Sequence, residues 1–313
     1  MRNAKTKNGK TKSENEEEKA LGTRHLALGK SEHQISYFRF PAFPLFALAF
    51  LPLATASAQE AMYTAAATMP GPGNYVLRQQ VHFWQFGSNP NDGSADHSMV
   101  ELHNALAIGL DRGIALNLAA PVSWESKSFT DETIEDDEGW GFDDLEANLK
   151  LRVYQNDSGG INTVRAALVG GLKFNTDDQF YASPFVAGVV TVVHGRHGFN
   201  QEIGFTLNPN GLNPEDNMGG DGPSDAIHFN SAYVYRVFPE AFQSDTVGAW
   251  YATIEMNGLY ETNGDTELRW SPGFMYEGRR WGFEIMAQFP LYQAVDDRAE
   301  LDWAIGVGWR YLF

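Results

Sequence analysis

The chain has 313 residues, no cysteine, 31 glycines and a formal charge of -17. That excess of acid excludes binding to nucleic-acid backbones, which requires Lys and Arg to neutralise phosphates. The lack of Cys excludes disulfide staples and thiolate metal sites, and no run of about 18 or more apolar residues offers a membrane-spanning helix.

Residues 1–58 are expected to be an N-terminal extension and a cleaved signal peptide. The apolar stretch Pro41 to Leu53 follows Arg24, Lys30 and Arg39 and precedes the small-x-small site Ala56-Ser57-Ala58. Cleavage after Ala58 leaves Gln59 as the first mature residue. The first ~35 residues are long and polar for the n-region of a leader of about 15–30 residues. A start codon placed too far upstream explains them, and an extended leader is the alternative. Residues 1–58 hold nine Lys/Arg and five Asp/Glu, so their removal takes the net charge from -17 to -21. Residues 59–73, with Pro70 and Pro72, read as a periplasmic lead-in, with folding into a barrel lumen as the alternative.

From residue 74 to 313 the pattern is alternation with a period of two, which marks strands with unlike faces. Leu145, Ala147, Leu149, Leu151 and Val153 oppose Glu146, Asn148, Lys150, Arg152 and Tyr154. Phe199, Ile203, Phe205 and Leu207 oppose Asn200, Glu202, Gly204 and Thr206. Leu268 to Tyr276 and Phe283 to Leu291 repeat the pattern. The C-terminus shows it best: Leu301, Trp303, Ile305, Val307, Trp309, Tyr311 and Phe313 share one face, opposite Asp302, Ala304, Gly306, Gly308 and Arg310. An aromatic-rich apolar face opposite a polar and glycine face suits lipid outside and a polar lumen inside. Pro184 to Val193 is apolar on both faces, so its register stays open.

About twelve strands are predicted: 74–86, 98–110, 114–125, 143–154, 163–174, 184–194, 198–208, 226–238, 247–261, 266–277, 281–292 and 299–312. The expected fold is therefore all-β, a transmembrane antiparallel up-and-down β-barrel. Connections alternate between compact ones, such as Asp111-Arg112-Gly113, and long polar ones: Gly87 to His97, Ser126 to Phe142, and Pro209 to Asp225. Sorting of short turns to one side and long loops to the other is an outer-membrane arrangement, and the expected location is the cell outer membrane.

The inner faces project a mixed set of charges. Candidate lumen-lining residues are Arg78, His82, Glu101, His103, Glu146, Lys150, Arg152, Arg165, Lys173, Glu202, Arg236, Glu255, Arg269, Glu284, Asp302 and Arg310. Asn117, Asn148, Asn230, Asn257 and Gln288 add neutral polarity. Two readings stay open: a solute path tuned by charge, or pairs that satisfy a filled interior. Trp124, Trp140, Trp250, Tyr260, Trp281, Trp303 and Tyr311 suit interfacial girdles. Acid gathers in three loops, at Asp92 and Asp96, at Asp131 to Glu138, and at Glu215, Asp216 and Asp221. Divalent cations could bridge such loops to lipopolysaccharide.

The sequence calls for no cofactor and no metal. His194 and His197 read as turn residues, because no third ligand accompanies them. No G-x-S-x-G element is present, and the protein is expected not to be an enzyme. A lipid hydrolase would have to use His82, His103 or His228 as its base.

The stretch Gly139-Trp140-Gly141-Phe142-Asp143-Asp144-Leu145-Glu146-Ala147-Asn148-Leu149-Lys150-Leu151-Arg152 resembles a motif of the outer-membrane transporter family associated with meta-cleavage degradation of phenol. That family has a Gly-x-Gly-Asp turn leading into an alternating strand, and Asp143 stands here in place of the second Gly. Leu106 to Pro121 resembles the family's preceding hairpin. The resemblance covers about the first third of the barrel and carries no catalytic residue across. It implies a channel or uptake role for aromatic or other hydrophobic compounds. The expected partners are outer-membrane lipid and lipopolysaccharide, a small-molecule solute, and the barrel-assembly machinery through the C-terminal strand. No nucleic acid is expected.

Overall fold

The computed structural model describes residues 60–88, 94–129, 135–158, 161–175, 181–207, 225–296 and 299–313. The expected leader and cleavage site, and Asp92, Asp131, Glu132, Glu215, Asp216 and Asp221, lie outside the described residues.

The strands are β1 (Tyr75–Phe86), β2 (Ser94–Asp111), β3 (Ile114–Phe129), β4 (Asp137–Phe142), β5 (Leu145–Ser158), β6 (Asn162–Asn175), β7 (Tyr181–His194), β8 (His197–Thr206), β9 (Ala226–Phe238), β10 (Gly248–Glu261), β11 (Thr266–Gly278), β12 (Trp281–Ala294) and β13 (Leu301–Leu312). Consecutive strands pair antiparallel except β4 with β5, and β1 pairs with β13, so the sheet closes on itself. β5 pairs with β3 over Ile114 to Ala119, and β4 pairs with β3 over Val122 to Lys127. These two segments form one barrel strand interrupted at Asp143-Asp144, so thirteen segments make a twelve-stranded barrel. Closure pairs the backbone of the spanning strands without water, which is what a sheet in lipid requires, while the exposed β4 pairs along one edge, with β3.

The outer face is apolar. Phe83, Leu149, Val186, Ile203, Ile254, Phe274, Ile285 and Ile305 are all exposed. At the end holding both chain ends of the barrel, Trp250 and Trp281 flank Tyr276, and Tyr75 stacks on Phe313. At the other end, Tyr260 and Trp303 are exposed, and Trp140 stands opposite Trp124. The expected girdle residues therefore sit in two bands.

Several expectations require correction. Ser126 to Phe142 is not simply a loop, because β3 runs on to Phe129 and pairs with β4, extending the hairpin. β-Bulges reverse side-chain parity, since one extra residue moves its neighbours to opposite faces, and two of them overturn an expected placement. Gln85 pairs with Trp303 but Phe86 pairs with Leu301, so Asp302 is the extra residue. Leu301, expected outside, is fully buried, and Asp302, expected in the lumen, is exposed. Arg152 pairs with Ala167 but Tyr154 pairs with Ala166, so Val153 and Tyr154 are both exposed on the outer side. The open register of β7 is resolved: Phe185, Ala187, Val189, Thr191 and Val193 share the face of Arg165 and Lys173, while Val186 and Val190 are exposed.

Ile254 lies mid-strand on the exposed face of β10. Ile254→Lys should lower stability by about 2–4 kcal/mol, as a cation at the bilayer midplane does, whereas Ile254→Val should cost about 0.5–1.5 kcal/mol or less. Urea unfolding in lipid vesicles measures both.

Candidate functional site

The lumen is crossed by a strap of the chain. The segment expected as a periplasmic lead-in lies inside the barrel, the alternative placement, and Ala61, Met62, Thr64, Ala66, Ala67 and Met69 are buried. Its path is fixed where it joins β1. Gly73 N–H donates to Gly109 O (2.9 Å), and Gly109 N–H donates to Asn74 O (3.0 Å). A Cβ on Gly109 would stand 2.0 Å from Gly71 O, so only glycine lets the strap turn inward there.

From that turn the strap passes strand after strand. Lys150 of β5 donates to Ala66 O (2.9 Å) and Thr68 O (3.4 Å). Ala67 N–H donates to Thr191 Oγ1 of β7 (2.8 Å), and Ala65 N–H to Glu202 Oε2 of β8 (3.4 Å). Met62 and Tyr63 N–H converge on the Glu255 carboxylate of β10 at 2.9 and 3.1 Å. Arg78 of β1 donates to Ala61 O (2.7 Å), and Arg310 of β13 donates to Glu60 O (2.7 Å). A strap crossing a polar lumen must have its backbone groups paired, and these side chains do so.

Apolar contact supplements the bonds. Ala65 and Ala67 pack against Ala167, Val169, Ala187 and Val189, the inner faces of β6 and β7. Ala61 packs with Ala232, Val234, Ala249, Tyr251 and Met275. β7 is apolar on both faces because lipid covers one and the strap covers the other. On β13, a Cβ at Gly306 would meet Met62 Sδ at 2.4 Å and Tyr63 Oη at 3.1 Å. The lumen-facing glycine makes room for the strap.

The remaining lumen residues form a connected collar. Glu284 takes Arg78, Gln80 and Arg310. Asn230 donates to Glu202 (3.0 Å), Asn257 to Asn230 (3.2 Å), and Gln288 to both Asn257 (3.2 Å) and Ser271 (3.0 Å). Asn117 donates to Asn148 (2.7 Å), and Asn148 to Glu146 (2.6 Å). Lys173 stands opposite Glu146 in register. Arg269 pairs with Glu267, and Arg165 with Asp157 at 3.1 Å. Arg152 bonds Gln155, and the buried Arg236 donates to Glu240 O (3.3 Å) under the Phe242 ring. The two readings of the lumen charges are thus combined: many charges pair, while Lys150, Glu202 and Glu255 hold the strap.

The histidines divide. His103 meets Glu101 at 3.3 Å and His228 meets Glu202 at 3.5 Å, so each imidazole faces a carboxylate. His82 is buried with neither ring nitrogen bonded, edge-on to Tyr63 with centroids 5.4 Å apart. His194 and His197 flank a tight turn with Gly195 at φ 61°, and His197 bonds Tyr233 Oη at 2.6 Å. Among the described residues, no group of three or more His, Asp or Glu could hold a metal ion.

Beneath the strap, towards the short turns, lies a cavity of about 590 Å³ lined by Arg165, Thr191, Val193, Phe242, Tyr251 and Arg279 among others. A smaller one of about 120 Å³ lies beside Glu60, Lys150, Glu277 and Arg310. Thr191, Gln80, Ser271 and Tyr63 were not among the expected site residues. Alternation puts Gln80 on the face of Arg78 and His82 and Ser271 on that of Glu267 and Arg269, whereas for Thr191 and Tyr63 the signals were β7's two apolar faces and Gly306 of β13.

No protein-family description matches the chain, and no curated protein matches it. Among solved structures, it is similar to an outer-membrane channel from Pseudomonas putida F1, with a TM-score of 0.51 and 11% identity, over 82% of this chain and 100% of that one. It is also similar to the β domain of the Bordetella autotransporter BrkA (TM-score 0.45, 12% identity, 77% of this chain and 100% of that one). LpxR from Salmonella typhimurium follows (TM-score 0.44, 9% identity, 76% and 100%). The fold is that of an outer-membrane β-barrel.

Because the chain has no cysteine, Ala66→Cys gives a single thiol on a fully buried strap position. A membrane-impermeant maleimide should label it slowly. Adding Glu255→Ala strands the Met62 and Tyr63 N–H groups at about 1–3 kcal/mol each, and labelling should quicken by about tenfold or more.

Proposed function

We propose that this protein is an outer-membrane channel or uptake barrel for small solutes, closed at rest by its own residues 60–69, and that it is not an enzyme. The observation that carries this reading is the strap itself, threaded across a polar lumen and bonded by side chains of β1, β5, β7, β8, β10 and β13. A barrel needed only as a membrane anchor could fill its interior with fixed side chains. A separate segment, backed by a cavity and seated against a glycine, can leave without unfolding the wall. The barrel fold alone does not decide between channel and enzyme; the strap laid across the lumen favours the former.

Aromatic compounds, the solute class implied by the resemblance of residues 139–152, are supported by a column of rings on the inner face of β1 and β2. Tyr63 lies beside His82 and Trp84, Trp84 stacks on Phe86, and Phe86 stacks on His97. The exposed acids Asp136, Asp137 and Glu138 at the tip of the β3–β4 hairpin support cation-bridged contact with lipopolysaccharide. The paired β13 ending in exposed Phe313 supports recognition by the barrel-assembly machinery.

Planar-bilayer recording tests the channel. The unsubstituted barrel should be closed for most of the record. Gly306→Leu, whose side chain overlaps Met62, should raise mean conductance at least severalfold. Absence of both conductance and solute flux in either form would leave a structural barrel in place of a channel.

A further inference from the structure

The strap is held through its backbone more than through its side chains. Glu255 accepts two consecutive N–H groups, Thr191 accepts the Ala67 N–H and Glu202 the Ala65 N–H, while Lys150, Arg78 and Arg310 donate to carbonyls. Most of the strap side chains in these contacts are small: Ala61, Ala65, Ala66 and Ala67. Met62 and Tyr63 are larger: Met62 lies against Gly306, and the Tyr63 ring enters the aromatic column at His82 and Trp84, with centroids 5.4 and 6.3 Å away.

That aromatic pocket is incompletely satisfied by its occupant. Tyr63 Oη, both ring nitrogens of His82 and Trp84 Nε1 are buried without a hydrogen-bond partner. Buried polar groups are nearly always bonded, and each left unmade costs about 1–3 kcal/mol. Tyr63 thus meets two wall side chains, His82 and Trp84, by ring contact without a polar bond to either, so the place selects for an aromatic ring and not for one particular side chain.

We propose that the collar is a binding site for short extended peptides carrying one aromatic residue flanked by small ones, and that Met62-Tyr63 fills it as an internal stand-in. The proposal rests on the closed-lumen reading above and names the solute that would compete for the same place. The peptide backbone supplies adjacent N–H groups to Glu255, its carbonyls reach Arg78 and Lys150, and its ring takes the Tyr63 position. Recognition through main chain plus one ring is tolerant of the remaining side chains, provided that they are small enough to pass β7 and Gly306.

The test uses the full chain with Ala67→Arg, which cannot pack against Ala167 and Val189 and so displaces the strap while leaving the collar intact. Ala187→Met, which thickens the wall that Ala67 meets, serves as a second displacing variant, and heat-modifiable migration verifies folding of each. The probe is fluorescein-labelled Ala-Met-Tyr-Thr-Ala, followed by anisotropy in detergent. Displaced barrels should bind it about tenfold or more tightly than the unsubstituted chain, a gain of about 1.4 kcal/mol per tenfold. Adding Glu255→Ala should remove that gain. Unlabelled Ala-Tyr-Ala should compete, and Ala-Ala-Ala should do so about tenfold less well. Failure of folded displaced barrels to bind, binding indifferent to Glu255→Ala, or equal competition by Ala-Ala-Ala would overturn the proposal. Conductance of the same preparations is read separately. A barrel that conducts but does not bind defeats this inference alone, and one that binds but never conducts defeats the channel alone.

Discussion

The pairing of β1 with β13 is the constraint on which the rest depends. In lipid, an unpaired strand edge leaves N–H and C=O groups without partners, so a spanning sheet must close. Closure gives every strand one face towards lipid and one towards an interior about twelve strands round. The outer face can then be uniformly apolar, and Ile254, Phe274 and Ile305 need no protein neighbour to cover them. The inner face has a harder problem, because charged groups there must find water, one another, or some third element.

The strap is that third element, and it reconciles two accounts of the lumen. A polar interior can be read as a solute path or as a self-satisfied filling. Here Asn230, Asn257 and Gln288 bond one another, while Arg78, Arg310 and Glu202 divide their bonds between wall partners and the strap. Glu255 and Lys150 instead spend their bonds on residues 62–68. Those bonds are replaceable by water or by a solute, as the proposed channel requires. The net worth of each is modest, about 0.5–1.5 kcal/mol for a neutral pair and about 1.5–3 kcal/mol for a charged one. A handful of them can hold a segment and still let it go.

Most of the wall was legible in the sequence, because a half-lipid strand writes its two environments in alternate residues. Ile254 is exposed and its neighbour Glu255 buried against the strap, on the opposite faces that alternation requires. Parity fails where one residue bulges out, so Asp302 and Tyr154 were placed on the wrong face, and no pattern in their neighbours announces a bulge. Residues 60–69 were not legible. Ala, Thr and Met without period name no element, and their partners are far away in sequence: Met62 bonds Glu255 across 193 residues. Their imprint was visible on the wall instead. β7 lacked a polar face, and β13 carried Gly306 on its inner face where Met62 and Tyr63 lie. Both features make sense only once something lies against them.

The most direct test of the occupied lumen is a disulfide between strap and wall. Ala67 N–H lies 2.8 Å from Thr191 Oγ1, so Ala67→Cys together with Thr191→Cys should cross-link under mild oxidation of the intact outer membrane, detected by mass spectrometry of the joined peptides. The oxidised barrel should then remain shut in bilayer recordings until reductant is added. Two thiols that stay free, and that react with a soluble maleimide as fast as an exposed cysteine, would contradict the account.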